Sequence, residues 1–279
     1  MLQVYNVSKK LGIFKLENIS FELPKGYIMG LIGTNGAGKT TLIHLLLGLY
    51  SLDSGEIIID GMTYEHNERE IKDMIGTVLV DELFTPQLTL LENANFYGKF
   101  YKNYDEQLFL KYINTFNLNP NSRFKTLSKG EKLKFQFAFA LSHNPKLLIL
   151  DEPTANFDPE FRKEFFRILC EFISDGQKSV ILATHLTTDL DQVADYITYL
   201  EKGKLMLSQN IEELRCSYKL ISGENYKVKL YKDSIIHMEE GTFSTKALVK
   251  NRRFAQYDKT LTVSDPTIEE LMYFMTKRK

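Results

Sequence analysis

The segment that most constrains this chain spans residues 33–41 and reads Gly-Thr-Asn-Gly-Ala-Gly-Lys-Thr-Thr. Its first eight residues fill every fixed position of the phosphate-binding pattern G-x-x-x-x-G-K-[ST]. The apolar stretch 27–32 predicts a short buried strand before it, and the leucine-rich stretch 42–49 predicts a helix after it. A strand, a glycine-rich loop and a helix in this order favour a binding site for a nucleoside triphosphate.

The residue types in this loop suit a ligand with several negative charges. Glycines tolerate positive φ and place no side chain between the backbone N–H groups and the phosphate oxygens. The helix that begins near Lys39 adds a positive dipole end of about half a charge. We expect Lys39 to reach the β- and γ-phosphates, Thr40 to ligate Mg²⁺ and Thr41 to contact the α-phosphate. The candidate nucleotide-binding residues of the loop are Gly33, Thr34, Asn35, Gly36, Ala37, Gly38, Lys39, Thr40 and Thr41.

Composition and length exclude several other functions. A formal net charge of -1 over 279 residues disfavours a general nucleic-acid binder. Cys170 and Cys216 lie far apart and fit neither a disulfide framework nor a metal site. No apolar run approaches the roughly 18 residues of a membrane span, and no secretory signal stands at the start. We therefore expect a cytoplasmic protein whose membrane role comes through a partner.

The order of the predicted elements indicates an α/β fold. Alternating apolar residues within 1–25 predict a small antiparallel sheet ahead of the loop. Apolar strands at 147–150 and 180–183 alternate with helical patterns, which predicts a mostly parallel core sheet covered on both faces. The periodicity weakens after about Arg215. We predict a main domain over 1–215 and a small C-terminal α+β extension over 216–279.

Within the main domain, the stretch at about 86–143 predicts a helical subdomain, since helical periodicity and aromatic residues dominate it. The aromatic rings there favour core packing, and a partner-docking surface is the alternative. In the extension, apolar residues at helical spacing predict an amphipathic helix over 267–277.

Polar residues at the ends of two apolar strands complete the candidate site. Asp151 ends the strand 147–150, and a carboxylate in that place is what a phosphate loop needs for Mg²⁺. Glu152 follows it; because adjacent residues of an extended chain point apart, Glu152 can instead polarise an attacking water as general base. His185 follows the strand 180–183, at an edge where doubly wound sheets bind ligands, so we expect it to touch the γ-phosphate.

Five motifs in a fixed order make the chain resemble the ATP-binding subunit of an ABC transporter over roughly residues 1–215. The matching segments are 33–41 for Walker A, 127–131 for the signature L-S-G-G-Q, 147–152 for Walker B with its catalytic glutamate, 155–158 for the D-loop and His185 for the switch histidine. Residues 26–30 and the C-terminal extension further resemble the ATPases of bacterial ABC-2-type exporters. Those ATPases serve Gram-positive peptide, antibiotic and lipid-active efflux or resistance systems.

The resemblance implies Mg²⁺-dependent ATP hydrolysis, with Glu152, His185 and Lys39 in catalytic roles, by a mechanism that one chain cannot complete. Two copies, identical or sister, sandwich two ATP molecules, so that Walker A of one and the signature of the other hold the same nucleotide. Ser128 and the Gly130 N–H would then present the positive end of a helix to the partner's γ-phosphate. The spacing of Ser128 and Glu131 is also that of a capping box, which explains these residues without any function.

The same resemblance implies the assembly. ATP would close the homodimer or heterodimer and hydrolysis would release it. Transmembrane permease subunits, as separate chains, would convert closure into transport and hold this chain on the inner face of the cell membrane.

Three positions depart from the family pattern. Lys129 replaces the third residue of the signature, a glycine. The Q-loop glutamine should fall near Val80, where Asp81 is the nearest polar candidate for its metal or coupling role. The aromatic that stacks on adenine should fall near Leu11, and Phe14 is the nearest ring. These departures affect turnover and base selectivity rather than the phosphate chemistry.

Two other functions are open at this stage. One is a soluble ABC ATPase acting on chromosomes, repair or ribosomes. Chromosome and repair types carry a very long coiled coil between Walker A and signature, and translation factors carry two ATPase units in one chain. The other is a nucleotide-gated regulator with little turnover, which Val80 and Lys129 motivate.

Overall fold

The computed structural model describes residues 1–80, 83–250 and 260–276. The chain divides into two compact units, one formed by Met1–His185 with Thr198–Ser208 and the other by Leu186–Ile197 with Gln209–Lys279. The second unit thus includes residues before position 216. The boundary between 215 and 216 stays a prediction.

A nine-stranded sheet organises the chain up to Asn210. Its strands in chain order are β1 (Leu2–Leu11), β2 (Phe14–Leu23), β3 (Ile28–Gly33), β4 (Ser54–Ile59), β5 (Ile75–Val78), β6 (Leu147–Asp151), β7 (Ser179–Ala183), β8 (Tyr196–Glu201) and β9 (Lys204–Asn210). Their spatial order is β4-β1-β2-β9-β8-β3-β7-β6-β5. β1 pairs antiparallel with β2 and with β4, whereas β3, β7, β6 and β5 pair parallel. The predicted α/β class is confirmed, with its antiparallel N-terminal part and its parallel core.

The parallel strands have the composition that burial on two faces requires. Every residue of β3, β6 and β7 is buried, because helices cover both sides of a parallel sheet and leave no face for polar residues. Since parallel strands end at a common edge, Gly33, Asp151 and Ala183 reach the same side of the sheet. This edge carries the candidate site.

Six helices of the first unit connect these strands. They are α1 (Lys39–Leu46), α2 (Tyr64–Met74), α3 (Leu90–Gly98), α4 (Glu106–Thr115), α5 (Lys129–Ser142) and α6 (Pro159–Ile173). The predicted helical stretch contains α3, α4 and α5, and its rings pack mostly inside, as Phe109, Phe124 and Phe135 do. α2 has no predictive pattern in the sequence: its only buried residue is Ile71, and it is kinked at Asn67.

The second unit contains an antiparallel sheet of its own. Besides β8 and β9, the α-helices and strands described from Thr187 onward are α7 (Thr187–Val193), α8 (Ile211–Ser217), β10 (Tyr218–Gly223), α9 (Asn225–Lys229), β11 (Ile235–Glu240), β12 (Thr245–Lys250), β13 (Thr262–Ser264) and α10 (Ile268–Thr276). The strand order is β11-β12-β10-β13, around a core that includes Ile221, Val228 and Val249. The predicted α+β character is confirmed, and α10 buries Ile268, Leu271 and Phe274. None of the helices in the described ranges has the length and apolar character to cross a bilayer.

Candidate functional site

The glycine-rich loop lies between β3 and α1 and forms most of an open cleft. The cleft has a volume of about 550 Å³ and is lined by Phe14, residues 34–41, Val80, Asp151 and Glu152. Gly33 ends β3 next to these lining residues. Phe14, the predicted substitute for the adenine-stacking ring, therefore lies in the same cleft as the loop. Asp81 lies outside the described residues, and its neighbour Val80 is 66% exposed at the cleft.

Two glycines of the loop are required by its geometry. Gly38 precedes α1 with φ +110°, a conformation that side-chain-bearing residues rarely adopt, and a Cβ there would lie 2.8 Å from Cζ of Phe14. A Cβ on Gly33 would lie 2.6 Å from the carbonyl oxygen of Leu200. The two glycines of the sequence pattern therefore have a local steric cause in this fold.

Lys39 extends across the wall of the cleft. It is 8% exposed, and its Nζ donates to the carbonyl oxygen of Gly33 at 2.8 Å. The same Nζ lies 3.9 Å from Oε1 of Glu152. The ammonium group is therefore held between the loop and the carboxylate that follows β6, where both partners are oxygen atoms that phosphate oxygens can replace.

Asp151 and Thr40 supply paired oxygen ligands. Thr40 Oγ1 donates to Asp151 Oδ2 at 3.3 Å, although 111 residues separate them. Burial raises the pKa of the Asp151 carboxyl, and the neighbouring Glu152 charge raises it further. Carboxylate and hydroxyl oxygens are the ligands that Mg²⁺ prefers, so the pair fits this ion. Within the described part of the chain, no cluster of three or more His, Cys, Asp and Glu residues offers a metal site.

Glu152 contacts other partners than Asp151 does, although its backbone is not extended as the sequence argument assumes. Its backbone has φ +48°, an unusual value for a residue with a side chain, and its N–H donates to the carbonyl oxygen of Ala183 at 2.8 Å. The carboxylate Oε2 lies 2.7 Å from Nδ1 of His185 and accepts from the His185 N–H at 3.3 Å. The structure thus brings the predicted base and the predicted histidine into direct contact.

Ser128 and Gly130 lie at the start of α5 and do not line this cleft. Ser128 caps the helix: its Oγ accepts from the Glu131 N–H at 3.2 Å, and Glu131 Oε2 accepts from the Ser128 N–H at 2.8 Å. A Cβ on Gly130 would lie only 2.5 Å from the carbonyl oxygen of Asn156 in the predicted D-loop. One chain therefore holds a loop cleft and a separate helix start, as a two-chain site requires.

Two contacts made by α5 have no counterpart in the sequence predictions. Lys134 of α5 pairs with Asp158 at 3.2 Å and lies over the ring of Phe161 at 4.2 Å. Gln136 bonds to the backbone of Leu79 beyond β5. Neither has a sequence signal, because each joins residues that are 24 or more positions apart.

Comparison with known proteins gives the family. Residues 16–155 match the model of the ABC transporter family. The chain belongs to this ABC transporter family of ATP-binding proteins.

Curated ABC transporter proteins extend the match beyond these residues. The chain is 34% identical to the lantibiotic transport ATP-binding protein SrtF of Streptococcus pyogenes, over 77% of this chain and 95% of that protein. It is 31% identical to the linearmycin resistance ATP-binding protein LnrL of Bacillus subtilis, over 97% of this chain and 83% of that protein. A solved dimeric ATP-binding cassette bound to ADP and Pi shares the fold, with a TM-score of 0.68 at 24% identity, over 75% of this chain and 98% of that one.

Family membership establishes the activity class. The chain is the ATP-binding, ATP-hydrolysing subunit of an ABC transporter. Subunits of this family dimerise and work with transmembrane permease partners.

Proposed function

We propose that this ATPase powers an exporter, and that two copies of the chain close on two ATP molecules and open again on hydrolysis. The observation that carries the proposal is the division of the site within one chain. The loop, Glu152 and His185 meet at one edge of the sheet, while Ser128 and Gly130 begin a helix outside that cleft. Because both half-sites are present in this chain, a homodimer completes two nucleotide sites.

In the closed dimer, the loop N–H groups and Lys39 bind the triphosphate. Lys39 exchanges the Gly33 carbonyl oxygen for the β- and γ-phosphates, Thr41 contacts the α-phosphate and Phe14 lies against the base. The partner's Ser128 and Gly130 N–H contact the γ-phosphate at a helix N-terminus, which favours negative charge.

Thr40 and Asp151 would hold Mg²⁺, whose charge would offset that of the phosphate oxygens. Their oxygens lie 3.3 Å apart at the loop, and burial, together with the neighbouring Glu152 charge, raises the pKa of Asp151. Both facts support a cation at this position.

Glu152 accepts the proton of the attacking water as that water forms a bond to the γ-phosphorus. The bond from this phosphorus to the bridging oxygen breaks, which leaves ADP and inorganic phosphate. His185 holds the Glu152 carboxylate through its backbone N–H and its ring, so the base is oriented before the substrate arrives. After hydrolysis the γ-phosphate no longer joins the two chains, and the dimer opens.

The energy scale of this cycle is attainable. Shifting a two-state equilibrium from 1:99 to 99:1 requires about 5.5 kcal/mol of differential binding. Two nucleotides, each held from both sides, would share that requirement. Conversion of closure into transport would then take place in permease subunits at the inner face of the cell membrane.

The names of two relatives support a proposal for the cargo class. SrtF and LnrL are named for lantibiotic transport and linearmycin resistance, so we propose a cargo among peptides, antibiotics or lipid-active compounds.

A groove of about 290 Å³ in the helical subdomain, with Phe100 70% exposed at its rim, offers an apolar surface for the permease.

The test is steady phosphate release from Mg²⁺ and ATP by the full chain, alone and with the proteins that co-purify with it. An export ATPase should co-purify with subunits that contain transmembrane helices and should hydrolyse ATP in their presence. Ribosomal proteins or DNA in place of those subunits would identify the soluble alternative. Stoichiometric ATP binding without phosphate release would identify the regulator.

A further inference from the structure

We propose that Gln136 is a positioning residue that couples the chain's own nucleotide cleft to the start of α5. This inference rests on the proposed function, because the start of α5 acts on the partner's nucleotide. Gln136 lies within α5 and is 3% exposed. Gln136 is not among the candidate site residues predicted from the sequence.

The side-chain amide of Gln136 bonds to both backbone groups of one residue. Its Oε1 accepts from the Leu79 N–H at 2.9 Å, and its Nε2 donates to the Leu79 carbonyl oxygen at 3.1 Å. An adjacent strand would satisfy a residue in the same way, but β5 ends at Val78. Gln136 therefore replaces the missing strand for the first residue beyond the sheet.

Leu79 directly precedes Val80, which lines the nucleotide cleft. On the far side of Val80, the Phe84 ring packs against Phe135 and Phe139 with centroid distances of 4.7 and 5.4 Å. Both flanks of this cleft segment are thus attached to α5, one by hydrogen bonds and the other by aromatic packing. A displacement of Val80 that carries Leu79 or Phe84 with it moves α5 or breaks these contacts.

At its other end, α5 begins with the Ser128 cap and with Gly130 against the Asn156 carbonyl oxygen. Ser128 caps the helix that contains Gln136, and rigid helices are among the elements that carry coupling between sites, so a shift at Gln136 displaces Ser128 in this proposal. Occupation of one cleft therefore sets the position of the helix start that the chain offers to its partner. Gln136 acts through α5 and contacts no nucleotide itself.

The parent protein of the test is the full chain carrying Glu152→Gln, in which ATP stays intact. Gln136→Met keeps the side-chain length and removes both hydrogen bonds to Leu79. Gln136→Glu keeps the acceptor for the Leu79 N–H and removes the donor. Ser142→Ala is the control, because it deletes a buried bond on the same helix, from Ser142 Oγ to the Phe139 carbonyl oxygen, that does not reach Leu79.

Two quantities are measured with each variant. The first is the dissociation constant of the dimer in Mg²⁺ and ATP, by sedimentation, beside the affinity of the monomer for ADP. The second is amide hydrogen exchange at residues 128–131 at concentrations where the chain is monomeric, with and without ATP. We expect Gln136→Met to weaken the dimer at least tenfold, to leave ADP affinity within twofold and to abolish the ATP-dependent change in exchange.

In both the dimer dissociation constant and the exchange at residues 128–131, Gln136→Glu should lie between the parent and Gln136→Met. Ser142→Ala should match the parent in both measurements. If Gln136→Met does not fold, Gln136→Glu decides by the same measurements. Parent-like dimerisation and exchange in the folded variants would overturn the coupling, as would an equal loss of ADP affinity and dimerisation. A parent that stays monomeric in ATP refutes the proposed function. The coupling then stands if the parent's exchange at 128–131 responds to ATP and that of Gln136→Met does not, and it falls otherwise.

Discussion

Glu152 combines an unusual backbone with a fully oriented side chain. A residue other than glycine at φ +48° is held there by its surroundings, here by the bond from its N–H to the Ala183 carbonyl oxygen. This turn separates the carboxylates of Asp151 and Glu152, so that one reaches Thr40 and the other reaches His185. Sequence alone predicted different roles for the two carboxylates on the assumption of an extended chain, but a glutamate carries no sign that its backbone is left-handed.

Glu152→Gln should lower the steady rate of ATP hydrolysis by about 10²–10⁴-fold, because the amide cannot accept the proton of water. ATP affinity should stay within a few-fold, since the loop and Lys39 are unchanged. Phosphate release and equilibrium nucleotide binding check the two statements. Glu160→Gln, which removes an exposed charge at the start of α6, is the matched control and should hydrolyse ATP normally. A wild-type rate of ATP hydrolysis by Glu152→Gln would show that Glu152 is not the general base.

Asp151→Asn should stabilise the metal-free, nucleotide-free protein at pH 7.5. The folded-state pKa of Asp151 lies above its ordinary value of 3.8. At any pH above this raised pKa, the ionised carboxylate therefore lowers the free energy of unfolding. The difference in thermal midpoint between the variant and the wild type should therefore be positive at pH 7.5. It should shrink as the pH falls through the raised pKa towards 3.8.

Asp233→Asn, at an exposed position, is the control and should not change the midpoint measurably. With Mg²⁺ and ATP present, the wild type should have the higher thermal midpoint, because it gains binding free energy that Asp151→Asn lacks. A lower midpoint for Asp151→Asn in the chelator-treated protein at pH 7.5 would show that the Asp151 charge stabilises the fold instead.

At the scale of the elements, β3, the loop and α1 follow from sequence because several local signals agree there. The strand is apolar throughout, the glycines lie where positive φ or close approach requires them, and α1 is apolar on its buried side. α2 could not be predicted in the same way. It buries only Ile71 and is otherwise polar, so its helical period has almost no apolar signal.

Gly130→Ala should lower the free energy of unfolding by about 1–2 kcal/mol, as an overpacked contact does. Alanine is the better helix former by about 1 kcal/mol, but its Cβ would lie 2.5 Å from the Asn156 carbonyl oxygen, so α5 or the D-loop has to shift. Denaturant unfolding measures the change. Lys129→Ala, at the exposed position beside it, should leave stability within about 0.5 kcal/mol. Unchanged stability in Gly130→Ala would show that the two segments separate without cost.

At the scale of the whole molecule, sequence predicts residues for two half-sites, but it does not predict the contacts that the structure shows around them. Gln136 bonds to the backbone of Leu79, the Phe84 ring packs against Phe135, and Gly130 lies close to the Asn156 carbonyl oxygen. Each contact joins residues that are distant in sequence. Such contacts depend on the fold and leave no periodic trace in the sequence. The C-terminal unit was predicted only as α+β, since its short strands and its core of Ile221, Val228 and Val249 have weak patterning.

The central claim is that two copies of this chain hold ATP between the loop of one and the helix start of the other. The most direct test is the mass of the Glu152→Gln protein in solution, measured by sedimentation equilibrium with Mg²⁺ and either ATP or ADP. We predict a dimer that contains two ATP molecules in the first condition and a monomer in the second. A monomer that binds ATP stoichiometrically at concentrations well above its dissociation constant for ATP would contradict the claim.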